Sequence, residues 1–302
     1  MKVDICPGCS ASSAHPLGLP ASSFTTVAGG QEFGQPAYSI LCCDVCGLVF
    51  KTEVADDATL ARYYALTDFR KWETSGLYPT EKTVLSRLRQ LPSNSRVLDF
   101  GCSSGRLLHC LVGRHQCLGL EINSEASAVA ASKGIQIVRK LAEVEPASLD
   151  AAVMVDVFEH LSHPTDLLTE IAALVRPGGL LILATGNADS PACMEDVPNF
   201  WYFRNIEHLC MLSRGYAQFL CHRLPAQLEE WAEVCHYSWK LTDQVFQRLR
   251  RFAYRTFHST PPPVWAGLAT RLPYIGRARN WTQRPPFTCS RDHVVATFRL
   301  AR

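Results

Sequence analysis

The sequence predicts an α/β protein, a doubly wound parallel sheet preceded by a small cysteine-paired module. Three observations carry the prediction. From residue 95 onward, apolar runs of strand length alternate with stretches of helical periodicity. A loop of small residues, "GCSSG" at 101–105, follows the first of those runs. Two Cys-x2-Cys pairs stand within the first 46 residues. Alternation of this kind folds into a parallel sheet with helices on both faces.

Residues 1–55 are rich in Gly, Ser and Pro and poor in long apolar runs, and they form the expected N-terminal module. A helical linker or lid spans 56–94, with helix-like spacing in "LARYYAL" and "YPTEKTVLSRLRQL" and a stop at Pro92. The core follows over 95–240. Its strands are expected at 96–100, 116–121, 135–138, 150–155 and 179–185, with helices at 105–113, 124–133 and 164–175. A strand at 233–239 and another at 292–300, inside the closing segment 291–302, complete the sheet. Between them lies an insertion, 241–290, of different composition: residues 241–288 hold eight arginines, one acid and six prolines.

Composition excludes several classes. With 302 residues, 47% of them apolar and 19% charged, the chain is globular rather than disordered and can build a substantial core. Its net charge of +2 exerts no global attraction on nucleic acid or acidic membranes. "MKVDICPGCS" lacks the apolar stretch of a signal peptide, and no apolar run approaches a membrane span, so a cytoplasmic location is expected. In that compartment the 13 cysteines are reduced thiols or metal ligands rather than disulfides.

The stretch "VLDFGCSSGRLL" (97–108) ends an apolar run in Asp99 and then uses almost no side-chain volume. In a doubly wound sheet the ligand lies at the carboxyl ends of the strands, where the first turn meets a helix. Small residues there let backbone N–H groups approach a ligand. Glu121 closes the next strand, in "CLGLEIN", 20 residues after Gly101, and is placed to accept both hydroxyls of a ribose. A simple strand-to-helix turn is the plainer reading of the loop alone. Further along, "LDAAVMVDVFEHLSHP" (149–164) runs off a buried strand into Asp156, Glu159, His160 and His163, and "ALVRPGGLLILAT" (173–185) adds a Pro-Gly-Gly turn before another apolar strand.

Together these four motifs resemble the class I S-adenosylmethionine-dependent methyltransferases, with a Rossmann-like sheet, over about residues 96 to 185. The resemblance implies that Asp99, Gly101 and Gly105 cradle the methionine end of the donor, with Cys102 and Ser103 in the same loop. Glu121 would hold the ribose and the 139–142 turn would flank adenine, with Ile122, Leu141 and Asp156 also counted among the cofactor-binding residues. Ser103 departs from the family, which usually has a glycine at that place.

The pairs "CPGC" (Cys6, Cys9) and "CDVC" (Cys43, Cys46) are separated by 33 residues. Two such hooks can place four thiolates around one Zn²⁺, and with all four positions taken the metal would be structural. Cys42 is a spare neighbour of the second hook, and the remaining cysteines are scattered as small core residues. Residues 1–60 contain two lysines and six acids, a sign opposite to the one phosphates require, so nucleic acid is not an expected partner.

Methyl transfer needs donor and acceptor held in line and, for a weakly acidic acceptor, a base. Two stretches at the ligand edge carry histidines: "FEHLSHP" (158–164) and "FWYFRNIEHLCMLSRG" (200–215), where four aromatics precede Glu207 and His208. A cysteine-rich module followed by this fold and a Glu-His pair after the fifth strand resembles the sugar C-methyltransferases of nucleotide-linked deoxysugars, over about 1–240. That resemblance implies His208 as base, Glu207 as its orienting acid and His160 in the substrate pocket, although Asn205 stands where that family tends to show tyrosine. O-methylation of a glycan or lipid-linked intermediate needs the same groups. A cofactor-binding protein without turnover is the non-enzymatic alternative.

In the insertion, "DQVFQRLRRFAYRTF" (243–257) sets Val245, Phe246, Leu249, Phe252, Ala253 and Phe257 on one helical face and Arg248, Arg251 and Arg255 on another. This is the pattern of a basic helix on an anionic membrane surface or over an acidic, phosphorylated substrate, or of an ordinary amphipathic helix packed on the sheet. The expected partner is therefore a small-molecule or sugar-linked acceptor, with peripheral membrane contact through 243–257 as the further alternative.

Overall fold

In the computed structural model, which describes residues 1–301 apart from 238, 259–260, 282–284 and 286–288, the cysteine hooks flank a set of short strands. These are β1 (Ala14–Pro16), β2 (Phe24–Ala28), β3 (Gln31–Gln35), β4 (Ile40–Cys43) and β5 (Val49–Lys51). Helices α1 (Asp57–Leu66) and α2 (Pro79–Leu88) follow. Asp56 caps α1 by accepting the Thr59 N–H, and Glu81 returns to the Tyr78 N–H at the start of α2.

The core then alternates β6 (Arg96–Phe100), α3 (Arg106–His109), β7 (Gln116–Leu120), α4 (Ser124–Ser132), β8 (Gln136–Val138), β9 (Leu149–Val155), α5 (Pro164–Leu174) and β10 (Val175–Gly186). After it come α6 (Pro191–Met194), β11 (Cys210–Met211), α7 (Arg214–Arg223), β12 (Ala226–Val234), α8 (Leu241–His258), α9 (Ala266–Ala269), α10 (Pro273–Arg277) and β13 (His293–Leu300).

Seven strands form one sheet in the order β12-β13-β10-β9-β6-β7-β8. Strands β6 to β10 run parallel, whereas β13 lies antiparallel between β10 and β12. The sheet is therefore mixed at this side, because β13 returns along β12 instead of crossing over. Successive side chains point to opposite faces. Val97, Val153 and Ile182 pack with Val84 and Leu88 of α2, and Leu98, Met154 and Leu181 pack with Leu168 and Ile171 of α5. Both faces are thus apolar, which explains the continuous apolar runs in the sequence. The chain winds from β6 through β8 to one side and resumes at β9 on the other, opening a crevice at the carboxyl ends of β6 and β9.

Two expected elements are displaced. Helix α3 covers only Arg106–His109 of the expected 105–113, because Val112 bridges to His115 and Gly113 turns at φ 83°. The strand expected at 233–239 lies at Ala226–Val234. Its "AQLEEWAEV" is a half-buried edge with a bulge between Leu228 and Glu230, so its glutamates mask the alternation.

The N-terminal module is fused to the core through a second sheet, β1-β4-β5-β11, in which Val49 pairs with Met211 and Phe50 with Cys210. Cys6, Cys43, Cys46, Leu48 and Phe50 share one apolar cluster with Leu98, Leu183 and Tyr216. In the insertion, α8 matches the expected helix but does not spread itself on the sheet. It buries only Ala253 and Thr256, packs mainly with the turn Ala278–Asn280 and with α10, and leaves Val245, Phe246, Leu249 and Phe252 about half exposed, at 46–51%. Among the described residues, no helix is long and apolar enough to cross a membrane.

Candidate active site

The small-residue loop forms the floor of the crevice. Gly101 and Gly105 have φ values of 82° and 73°, a region open to glycine and costly for other residues. Packing makes the same demand: a Cβ at Gly101 would meet Val157 at 2.5 Å, and one at Gly105 would meet Ile135 at 2.1 Å. Ser103 also adopts a left-handed conformation, φ 47°, so serine here performs the backbone role of the expected glycine. Its N–H donates to Glu121 Oε2 at 2.9 Å, and the other oxygen of Glu121 accepts the Asn123 N–H at 2.8 Å. Glu121 therefore staples the loop to the end of β7.

That stapling changes the expected role of the loop backbone. Gly101 and Cys102 both donate to Leu120 O, and Gly105 donates to Cys102 O, so these N–H groups are already engaged within the protein. Cys102 is buried, and its sulfur would meet a Cβ at Gly119 at 2.6 Å, so its side chain packs against β7 instead of facing the crevice. Leu141 is likewise part of the apolar core, whereas Ile122 beside Glu121 is 82% exposed.

Asp99 is buried at the end of β6, and its Oδ1 has no hydrogen-bond partner. Burial, followed by the Glu81 and Glu121 charges, pushes its carboxyl up to about 8. An uncompensated buried carboxyl beside the loop suits a ligand with a cationic group. Helix α2 covers this corner. Arg106 pairs with Glu81 at 2.8 Å and lies over the Tyr78 ring, while Ser104 Oγ donates to Glu73 at 2.6 Å.

On the other side of the crevice, the loops after β9 and β10 bring His160 and His208 together, edge to face at 5.0 Å. His208 Nδ1 lies 2.7 Å from the Tyr202 carbonyl oxygen. A carbonyl only accepts, so Nδ1 carries the proton and Nε2 keeps a free lone pair. Burial, reinforced by His160 and Lys51, holds His208 well below the usual histidine range. His160 is fixed in the same sense, its Nδ1 lying 3.1 Å from Glu207 O and 3.0 Å from the Tyr64 hydroxyl.

The expected orientation of His208 by Glu207 is replaced by that Tyr202 carbonyl. The Glu207 side chain instead accepts the Tyr63 hydroxyl at 3.4 Å, and its Oε2 is buried without a partner. Tyr202 packs its ring against His208, the centroids 4.1 Å apart. It is buried, with its hydroxyl donating to Glu159, whose second oxygen accepts the Thr185 hydroxyl at 2.7 Å.

Two groups of residues escaped the sequence reading. Lys51, from β5 of the N-terminal module, is buried and donates to Asn205 O at 2.6 Å. Burial lowers its amine to about 7, against the opposing pull of Glu207. His236 and His293 form the second group. His293 opens β13, which is antiparallel, so its first residue lies at the carboxyl edge of the parallel strands. The "RDH" preceding an apolar strand was the available signal. Asp156, left-handed at φ 53°, faces this pair, at 3.9 Å from His236 and 3.8 Å from His293.

The four cysteine sulfurs converge as well. Cys6 lies 3.5 Å from Cys46 and Cys9 3.5 Å from Cys43, and all four are within 4.8 Å of one another. Four thiolates around a point at about 2.3 Å suit tetrahedral zinc, so the donor set fits that metal. Cys42 is excluded, its sulfur turned toward Cys43 O and Gly47 O at 3.9 Å.

A largely parallel sheet with a glycine loop after its first strand fits the Rossmann-like arrangement of the class I S-adenosylmethionine-dependent methyltransferases. Residues 76–223 match a family model described as a methyltransferase domain. Similar curated proteins are ubiquinone biosynthesis O-methyltransferases. That of Dechloromonas aromatica is 28% identical over 158 residues, covering 48% of this chain and 65% of the relative. That of Xanthomonas axonopodis pv. citri is 28% identical over 190 residues, covering 57% and 77%. The chain thus spans slightly less than two thirds of the first relative and more of the second. Among solved structures, phosphoethanolamine N-methyltransferase 2 of Haemonchus contortus, in complex with S-adenosyl-L-methionine, shares the fold. Its TM-score is 0.54 at 14% identity, over 84% of this chain and 63% of that one. The chain is an S-adenosylmethionine-dependent methyltransferase.

Proposed function

We propose that this enzyme methylates a hydroxyl oxygen on an amphiphilic, lipid-linked acceptor, with His208 as base. The observation that carries this reading is the apolar surface at the ligand edge. Leu241, Val245, Phe246, Leu249 and Phe252 of α8 are exposed beside Trp265 and Leu268, on a helix that also carries Arg248, Arg251 and Arg255. Helix α8 leaves the sheet just after β12, at the edge where the crevice opens, and Arg251 pairs with Glu195 after α6. A half-exposed apolar face flanked by arginines fits the interface of an anionic bilayer. The relatives named for O-methylation support oxygen as the acceptor atom.

Bound S-adenosylmethionine supplies an electrophilic methyl group. Asp99 would meet its cationic end, Glu121 its ribose, and Ser103 would hold the loop open to it. His208 Nε2 would take the acceptor proton, with Tyr202 O fixing the imidazole tautomer and Tyr64 and His160 lining the approach. The cysteine cluster would hold one structural zinc and so anchor β5, which carries Lys51 to the loop of His208.

A second reading, carbon methylation of a nucleotide-linked keto-deoxysugar, draws on the paired cysteine hooks together with Glu207–His208 after the fifth strand. Radiolabelled methyl transfer separates the two. The enzyme is assayed with a long-chain phenol or glycolipid in anionic liposomes and, separately, with a nucleotide keto-sugar. Transfer to the lipid-borne hydroxyl, falling when α8 carries Phe246→Asp and Phe252→Asp, is expected. Transfer to the sugar alone, with solvent deuterium entering its ring carbon, reverses the assignment.

Glu121→Gln tests the donor site separately. The amide keeps one acceptor oxygen and sets a donor against a second backbone N–H. A charge-assisted hydrogen bond contributes about 1.5–3 kcal/mol, so S-adenosylhomocysteine is expected to bind about tenfold weaker or worse. Calorimetry with undiminished affinity would remove Glu121 from the site.

A further inference from the structure

We infer that Asp156, His236 and His293 form a second metal site, for a divalent first-row transition cation, at the mouth of the crevice. Three side-chain atoms carry the inference: Asp156 Oδ1, His236 Nδ1 and His293 Nε2 are each buried without a hydrogen-bond partner. They come from three separate elements, the end of β9, the loop after β12 and the start of β13. The donor atoms lie within 4.8 Å of one another. A cation held at about 2.1 Å from each requires the donors to draw together by less than about 1 Å apiece, a rotamer adjustment for a loop residue such as His236.

The surroundings are those of a ligand set rather than of a spare ion pair. Asp292 is fully buried, and its Oδ1 lies 3.1 Å from His293 Nδ1 while also accepting the His236 N–H at 3.3 Å. Its Oδ2 accepts the Trp201 indole N–H at 3.0 Å. Asp292 therefore fixes the tautomer of His293 with Nε2 directed at Asp156, the carboxylate–histidine arrangement that supports metal ligands. The rings are held in place as well: His236 stacks on His293 at 4.4 Å and on Tyr78 at 5.1 Å.

Two imidazoles and one carboxylate suit Mn²⁺, Fe²⁺, Co²⁺ or Zn²⁺ and are a poor match for the all-oxygen preferences of Mg²⁺ or Ca²⁺. Three ligands leave positions open, and they open toward the crevice through Asp156, whose side chain is 31% exposed while His293 is enclosed. An oxygen of the acceptor taking an open position would lose its proton more readily. That last role rests on the oxygen-acceptor reading above, whereas the site itself does not.

Full-length protein supplied with one equivalent of Zn²⁺ and desalted is titrated with Mn²⁺, free Mn²⁺ being counted by electron paramagnetic resonance. One Mn²⁺ per chain is expected, weakened at least about tenfold in His236→Ala and about 10–100-fold in Asp292→Asn. Co²⁺ in place of Mn²⁺ should give d–d bands without thiolate charge transfer. Failure of the wild type to take up Mn²⁺ overturns the site. So does unchanged affinity in a His236→Ala protein with wild-type circular dichroism, or a thiolate band from the cobalt. None of these readouts uses an acceptor, so loss of the O-methylation reading alone would leave them unaffected.

Discussion

His208→Ala is expected to lose turnover by about 10²- to 10⁴-fold while binding S-adenosylhomocysteine as the wild type does. The magnitude is that of a positioned base, and the geometry supplies the position, because the Tyr202 carbonyl commits Nδ1 to its proton. The pH dependence has a definite sign. A base works unprotonated, and burial holds His208 well below the usual histidine range. Activity should therefore rise with pH on the acid side of that range and stay level through neutrality. The variant should lose that acid limb along with its rate. Retention of wild-type kcat, or an acid limb that survives the substitution, would dismiss His208 as base and leave it an ordering residue for the aromatic loop.

Cys43→Ser is expected to abolish binding of the zinc proposed for the cysteine cluster and to unfold the N-terminal module. Structural zinc contributes about 10–16 kcal/mol in small peptides, comparable to the roughly 5–15 kcal/mol that holds an entire domain folded. Removing one thiolate forfeits a large part of it. The damage should not stop at the module. Strand β5 pairs with β11, and Lys51 at its end holds Asn205 O, three residues before His208. Turnover should thus fall together with the metal. Elemental analysis and thermal melts check this, with Cys42→Ser as the control, since Cys42 lies outside the cluster. No zinc in purified wild-type protein, or equal melting of the two variants, would sink the assignment.

Much of the frame was legible in the sequence because its signals are local. The strand "LDAAVMV" is apolar without a break from Ala151 to Val155, which only a sheet covered on both faces requires. Gly101 and Gly105 announced a turn, and Glu121 fell at the end of β7 where the spacing put it. What escaped depends on chain segments meeting from afar. Whether the N–H of Gly101 is free cannot be read from residue 101, since Leu120 O, delivered by β7, takes it. Lys51 reads as a surface lysine until β11 closes over β5. Glu207 precedes His208 in sequence yet turns to Tyr63, because consecutive side chains rarely share a direction. His236 and His293 become neighbours only through the pairing of β12 with β13.

That pairing has an architectural consequence. Val234 and His293 are register partners, so the chain leaves and re-enters the sheet at one spot. Everything between them is a detour that the sheet does not need for its own closure. A gene encoding a short hairpin in place of the helical excursion should still yield the seven-stranded scaffold. Exchanging the excursion for another would then alter what flanks the crevice while leaving the glycine loop and Glu121 in place, as a tool head is changed on a fixed handle.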